Sequence, residues 1–165
     1  DAGVMDIFVI RIAGNVCGTD EIWSIEYGLG NVHTPVFLML GHTQCGAVTV
    51  VTHNVQGKDS ALESNLPPFA DNIIPAVKRA MEAHEDVHGD EIIQYAIEEN
   101  MWQGIENLFM NSPETRSLVH AGKVKVVAAV YDVGTGRARW FPSKKVDEIL
   151  RRVEASPDRE TERRG

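Results

Sequence analysis

The stretch that decides the fold is PVFLMLGHTQCGAV, from Pro35 to Val48. Its first part, Pro35 to Leu40, is apolar almost throughout, which is typical of a parallel strand that is buried on both faces. A turn bounded by glycines follows, and the sequence after Gly46 begins the next helix. This order of strand, turn and helix predicts an α/β protein. It also places the turn at the carboxyl edge of the sheet, where open α/β sheets bind their ligands.

The remainder of the chain continues this alternation of strands and helices. Two further strands are predicted, at Ile7 to Arg11 and at Lys123 to Val133, and the turn GTG leads from the second into an antiparallel partner, RARWF. Helices are predicted from Asp20 to Leu29, from about Asn72 to Ala83, from about Asp90 to Met110 and from the cap residue Ser112 to Gly122. A surface loop is predicted from Asn54 to Phe69, and a fraying, solvated tail is predicted from Arg151. We therefore predict one α/β domain over residues 1–165, with a mostly parallel β-sheet flanked by helices and an antiparallel edge strand at the C-terminal hairpin.

Composition and charge narrow the range of partners. The 165 residues carry a net charge of -8, which argues against binding to a nucleic-acid backbone. No apolar run approaches the roughly 20 residues that a membrane helix needs. Only two cysteines are present, which is typical of a reducing compartment and predicts a cytoplasmic location. Because the chain begins at Asp1 without a methionine, we expect the biological protein to start earlier.

The turn after the central strand carries the most reactive side chains of the sequence. His42 and Cys45 are three residues apart, and a helix N-terminus favours a thiolate at the second position. A thiolate and a neutral imidazole that converge across a tight turn suit zinc, which binds them at about 2.0–2.3 Å. The spacing alone leaves two other interpretations open. Cys45 could be a nucleophile with His42 as its base, or both could be side chains without chemistry, buried or bonded to the backbone.

Four blocks of the sequence resemble the β-class carbonic anhydrases in their order and spacing. The blocks are FVIRIAGN, SIEYG, VFLMLGHTQCGAV and VYDVGTGRARWF, and together they span almost the whole chain. The resemblance implies that His42 and Cys45 are zinc ligands and that the backbone amide of Gly46 faces the substrate. It also implies that Phe8 and Tyr27 line the pocket, partly from the neighbouring subunit. Packing in the core is the alternative for Phe8 and Tyr27.

The activity that this resemblance implies is the zinc-dependent, reversible hydration of carbon dioxide to bicarbonate and a proton. Hydrolysis of carbon disulfide or carbonyl sulfide on the same fold is the nearest enzymatic alternative. The working unit is expected to be a homodimer or a higher even oligomer, and Trp140 and Phe141 are aromatic residues of the kind enriched at interfaces. The alternative for Trp140 and Phe141 is that they pack within their own subunit. Cys17 matches no ligand position of the family and is predicted to be a buried or free thiol.

One part of the family pattern is absent from these residues. In the family, the first zinc ligand belongs to a C-x-D-x-R motif upstream of the F-V-x-R strand, so the catalytic Asp and Arg are expected upstream of Asp1. We therefore expect the 165 residues by themselves to be inactive and to leave two strand edges unpaired. The alternative is a non-catalytic or metal-free relative that binds a small anion or a protein partner. The residues encoded before Asp1 separate these hypotheses.

Overall fold

A three-stranded mixed sheet is built on the strand that the sequence predicts after Pro35. The structure is a computed structural model that describes residues 3–58 and 70–161. Its strands are β1, Val36–His42, β2, Lys125–Asp132, and β3, Arg137–Trp140. β1 and β2 are parallel, whereas β2 and β3 form an antiparallel hairpin. The predicted α/β class with an antiparallel hairpin strand is therefore confirmed.

Six α-helices surround this sheet within the described residues. They are α1, Thr19–Gly30, α2, Gly46–Val55, α3, Ile74–Ala83, α4, Ile93–Asn111, α5, Pro113–His120, and α6, Ser143–Ala155, with short 3-10 turns at Ala13–Asn15 and Gly89–Ile92. The predicted cap of α5 is present, because the Ser112 hydroxyl accepts a hydrogen bond of 3.0 Å from the amide of Thr115. In the described part of the chain, no helix is both long and apolar enough to cross a membrane.

The core lies where α4 crosses the inner face of β1. Met39 points into this contact, and a Cβ on Gly104 of α4 would lie 2.8 Å from its terminal methyl carbon. A side chain at Gly104 would therefore require the flexible end of the Met39 side chain to move. The same helix buries apolar residues along much of its length, among them Met101, Ile105 and Leu108.

The predicted strand at Ile7 to Arg11 is wrong. These residues have no assigned strand structure, and the apolar side chains of Ile7 and Val9 are 62% and 63% exposed. A strand is stable only when its backbone groups have a neighbouring strand to pair with. Among the described residues none pairs with this segment, and the edge of β1 that faces away from β2 also has no strand partner. The segment is β-like in sequence but unpaired in this structure.

The expectation that β1 is buried on both faces is also wrong. Phe37, Met39 and Gly41 alternate toward the core, whereas Val36, Leu38 and Leu40 are 52%, 37% and 41% exposed. Because side chains alternate along a strand, His42 lies on this exposed side too. We call the side formed by Val36, Leu38, Leu40 and His42 the outer face of β1.

The sequence analysis missed helix α6. Its buried residues Val146, Ile149, Leu150 and Val153 follow the i, i+3, i+4, i+7 pattern of an amphipathic helix. The charged residues between them suggested a solvated tail. Of the predicted loop from Asn54 to Phe69, the first two residues belong to the end of α2, and residues 59–69 lie outside the described part of the chain.

The segment after α6 is attached to the end of α4 through Arg116. The guanidinium of this buried residue donates a hydrogen bond to the carbonyl of Phe109 and a second, of 2.6 Å, to the carbonyl of Glu160. The amide of Glu160 donates to the carbonyl of Met110 at 2.9 Å. Arg116 therefore joins the C-terminus of α4 to residues beyond α6.

Candidate metal centre

The candidate site is the turn between β1 and α2. His42 is the last residue of β1, Cys45 is the N-cap of α2, and Gly46 is the first residue of that helix. Cys45 therefore lies just before the first helical turn in which the sequence predicted it. Gln44 has a φ of 57°, a left-handed conformation that costs free energy in a residue with a side chain. This strained residue makes the turn sharp, so that strand and helix follow each other within three residues.

The ring of His42 is held by its own turn. Its Nδ1 atom lies 2.9 Å from the carbonyl oxygen of Thr43. A carbonyl oxygen can only accept a hydrogen bond, so Nδ1 must carry the proton. In a neutral ring, Nε2 then keeps the lone pair that a metal ion requires. His42 is exposed and is thus accessible as a ligand.

The two cysteines differ in their surroundings. Cys45 is buried at the N-terminus of α2, where the helix dipole favours a negative charge. Cys17 is also buried, and burial raises its pKa to about 12, with a further contribution from the negative charge of Glu21. Cys17 is therefore an uncharged thiol at neutral pH, which confirms the prediction of a buried or free thiol.

The donors in the turn fit zinc as two of its ligands. An imidazole nitrogen and a cysteine sulfur are both common zinc ligands, but a complete site needs four ligands, or three and a water molecule. Within residues 3–58 and 70–161, no group of three or more His, Cys, Asp or Glu side chains is placed to hold a metal ion. The described residues therefore contain two donors of the types that zinc binds but no complete zinc site.

Gly46, the predicted substrate-facing residue, has open space beside its backbone. It is exposed, and a Cβ at this position would meet no atom within 4 Å. As the first residue of α2, its N–H has no acceptor within the helix. The space beside Gly46 can thus receive a small molecule whose oxygen atom accepts this hydrogen bond.

Phe8 and Tyr27 lie together on the surface of α1. Phe8 packs so closely over Gly28 that a Cβ there would lie 2.9 Å from its ring. The ring centroids of Phe8 and Tyr27 are 6.4 Å apart, and Trp23 stacks on Tyr27 at 6.2 Å. We call Phe8, Trp23 and Tyr27 the aromatic cluster. All three rings are exposed, so the core-packing alternative for Phe8 and Tyr27 is not what the structure has.

The other two predicted aromatics are in different environments. Phe141 packs edge-on against Trp102 of α4, with ring centroids 5.2 Å apart. Trp140, at the end of β3, is 61% exposed. Phe141 therefore packs within its own subunit, whereas Trp140 lies at the surface.

One cleft lies beside the turn, on the inner face of the sheet. It has a volume of about 760 Å³ and is lined by residues that include Ile97 of α4 and Val130 of β2. These two side chains are also the neighbours of Gly41, on the inner face of the sheet. Thr43 and Gln44 of the turn and Asp132 at the end of β2 also line this cleft, whereas His42 is not among its lining residues. A second cleft, of about 480 Å³, is lined by α3, α4 and α6 and is remote from the turn.

Sequence reasoning missed two polar residues that support the turn. The hydroxyl of Thr43 donates a hydrogen bond of 3.3 Å to the carboxylate of Asp132, which lies at the end of β2. The hydrogen bond from Thr135, followed by that from the amide of Gly134, lowers the pKa of Asp132, so this carboxylate is charged at neutral pH. Since β1 and β2 are parallel neighbours, an Asp at the carboxyl end of β2 could have been predicted to lie near this turn.

Comparison with known proteins agrees with this fold. The sequence profile of the family described as carbonic anhydrase matches residues 1–138. Carbonic anhydrases of Synechococcus elongatus and Mycolicibacterium smegmatis are each 27% identical to this chain, over 156 and 139 residues. These matches include 89% and 83% of the chain. Among solved structures, the β-carbonic anhydrase CcaA superposes on this chain with a TM-score of 0.74 at 23% sequence identity. The superposition covers 86% of this chain and 65% of the CcaA chain, and it shows that the two share a fold.

The chain belongs to the carbonic anhydrase family, in its β class. It spans 55% of the length of the Synechococcus relative and 64% of the Mycolicibacterium relative.

Proposed function

We propose that the intact protein is a zinc enzyme that catalyses the reversible hydration of carbon dioxide to bicarbonate and a proton. The observation that carries this proposal is the turn at the end of β1, where Nε2 of His42 is left free for a metal and Cys45 caps the next helix. Membership of the carbonic anhydrase family supports the same reaction. Cys17 and Cys45 are both free thiols, which fits a reducing compartment and supports a cytoplasmic location.

In this proposal His42 and Cys45 hold the zinc ion, and the remaining protein ligand comes from outside the described residues. A zinc ion bound in this way lowers the pKa of water to about 7. Cys45 contributes a negative charge that the N-terminus of α2 stabilises. His42 contributes a neutral ring whose proton is kept on Nδ1 by the carbonyl of Thr43. The hydrogen bond to Thr43 thus orients the His42 ring.

The amide of Gly46 orients the substrate. Carbon dioxide and bicarbonate present oxygen atoms that accept hydrogen bonds, and the N–H at the start of α2 has no acceptor in the helix. The open space beside Gly46 allows such an oxygen to approach the backbone. Because developing negative charge on that oxygen is favoured at a helix N-terminus, this contact is strongest as bicarbonate forms.

A second copy of the chain completes the pocket in this proposal. The outer face of β1 presents Val36, Leu38 and Leu40 to solvent and leads directly to His42. Carbon dioxide is apolar, and an apolar wall over His42 would hold it and exclude bulk water. The described chain leaves this face uncovered, whereas a homodimer or higher even oligomer would cover it. The exposed aromatic cluster is a further surface that such an interface would bury.

The assay that tests the function is the rate of proton release when carbon dioxide is mixed with the zinc-loaded intact protein. We expect a rate far above that of the buffer, which falls to the buffer rate after zinc is removed and returns when zinc is restored. The metal-free protein is the matched control, because it has the same residues and the same fold. A zinc-loaded protein that does not exceed the buffer rate would contradict the proposal.

Two alternatives are separated by related measurements. Hydrolysis of carbon disulfide or carbonyl sulfide requires the same metal, so the three substrates are to be compared on one zinc-loaded preparation. A non-catalytic or metal-free relative is favoured by one observation, that the described residues supply only two donors. That reading predicts that the intact protein purifies without zinc and fails to take it up.

A further inference from the structure

Thr43 links the candidate ligand to the neighbouring strand. Its carbonyl accepts the hydrogen bond from Nδ1 of His42 at 2.9 Å. Its amide donates to the carbonyl of Tyr131 at 2.9 Å, and its hydroxyl accepts from the amide of Val133 at 3.1 Å. The residue that holds the His42 ring is therefore itself fixed to the end of β2.

Asp132 supplies the last contact in this arrangement. One carboxylate oxygen accepts from the Thr43 hydroxyl at 3.3 Å and from the amide of Gly134 at 2.9 Å. The other accepts from the hydroxyl of Thr135 at 2.7 Å. The carboxylate is thus held by the turn that follows β2, and from there it reaches across to the turn that follows β1. Asp132 touches neither candidate ligand directly.

We propose that Thr43 and Asp132 are a positioning pair that fixes the tautomer and orientation of the His42 ring for metal binding. This inference rests on the proposed function, because it assumes that His42 is a ligand. The reason is geometric. Nδ1 of His42 bonds to a carbonyl whose own position depends on three hydrogen bonds to residues 131–133. When the side-chain bonds are removed, the carbonyl can rotate away, and the ring is then free to protonate on either nitrogen.

The decisive variant is Thr43→Val in the intact protein. Valine has nearly the shape of threonine but lacks the hydroxyl that bonds to Asp132 and to the amide of Val133. Direct partners that orient a metal-binding histidine typically contribute about 10–100-fold to metal affinity. The hydroxyl acts only through such a partner, the carbonyl of Thr43, so we expect a loss at the lower end of this range. Zinc affinity is to be measured by competition with a chelator of known affinity. Thr43→Ser keeps the hydroxyl and should restore binding close to that of the wild type.

The matched control is Thr34→Val. The hydroxyl of Thr34 donates to the carbonyl of Gly28 at 3.0 Å, so the same group is removed at a position with no bond to the β1–α2 turn. We expect zinc affinity to stay unchanged in this variant. An equal loss in Thr34→Val and Thr43→Val would mean that general destabilisation is the cause, and the proposal would fall.

A second readout does not depend on the metal. Nitrogen NMR of the metal-free protein reports which ring nitrogen of His42 carries the proton. We expect a single tautomer protonated on Nδ1 in the wild type and a mixture in Thr43→Val. If Thr43→Val does not fold, Asp132→Asn serves in its place. The asparagine side chain can still accept from Gly134 but lacks the charge that strengthens the bond to Thr43, so the change should have the same direction and a smaller size.

The outcomes separate this inference from the proposed function. Absence of zinc binding by the wild type overturns the proposed function, and the tautomer measurement then decides by itself whether the pair positions His42. Normal zinc binding by the wild type together with unchanged affinity and tautomer in Thr43→Val overturns the positioning pair alone.

Discussion

Cys45→Ser is expected to leave the intact protein without zinc after dialysis and without carbon dioxide hydration. Serine has nearly the same size, but its hydroxyl stays protonated at neutral pH and is a poor replacement for a thiolate. Cys45 is a candidate direct ligand, so we expect the loss of zinc affinity to exceed the roughly 100-fold that an orienting partner can cost. Zinc content per chain, measured by elemental analysis after dialysis, checks the prediction.

Cys17→Ala is the matched control for this experiment. Cys17 is buried like Cys45, but its pKa of about 12 keeps it an uncharged thiol. This variant should retain one zinc ion per chain and its activity. Full zinc content in Cys45→Ser would remove Cys45 from the metal site and leave the nucleophile hypothesis to be tested by alkylation of the same cysteine.

Trp23→Glu is expected to convert the proposed oligomer into single chains. Trp23 is the most exposed member of the aromatic cluster, at 59%, and tryptophan is among the residues that contribute most at interfaces. Loss of such a residue costs about 2 kcal/mol or more, and a symmetric dimer loses it twice. About 4 kcal/mol corresponds to a dissociation constant that is roughly a thousandfold higher. Light scattering at low micromolar concentration measures the mass directly.

Trp140→Glu provides the comparison, because Trp140 is exposed to a similar degree at the end of β3. If the oligomer forms through α1 and the outer face of β1, this second variant keeps the mass of the wild type. Dissociation by Trp140→Glu alone would place the interface at the hairpin instead. A wild-type protein that is active with the mass of one chain would contradict both forms of the prediction.

Strand β1 and the β2–β3 hairpin could be predicted from the sequence because each depends on residues that are close together in the chain. The run before Gly41 predicted β1, and the GTG turn predicted the β2–β3 hairpin. Pairing is different, because a strand depends on a neighbour that its own sequence does not specify. The segment from Ile7 to Arg11 is apolar enough for a strand, yet it stays unpaired among the described residues. β1 was also predicted to be covered on both faces, whereas in the described part of the chain only its inner face is covered. What packs on a face is likewise not specified by the strand's own sequence.

The site divides in a similar way. His42 and Cys45 are close in sequence, so their spacing could suggest a metal. Thr43 and Asp132 are 89 residues apart, and their contact arises only because β1 and β2 end at the same edge of the sheet. Helix α6 could have been predicted, since Val146, Ile149, Leu150 and Val153 have helical spacing. The helix was not predicted because the many charged residues between these apolar positions are also typical of a solvated tail.

The bond between Arg116 and Glu160 has a consequence for how residues 156–160 open. Solvent exchange of a backbone amide requires its hydrogen bond to break, and frayed ends normally exchange first. The amide of Glu160, however, bonds to the carbonyl of Met110, and the carbonyl of Glu160 shares the Arg116 guanidinium with the carbonyl of Phe109. Releasing the segment would leave a largely buried cation with one partner fewer, which is costly. We therefore expect residues 156–160 to open together with the last turn of α4, as one cooperative unit, in amide hydrogen exchange.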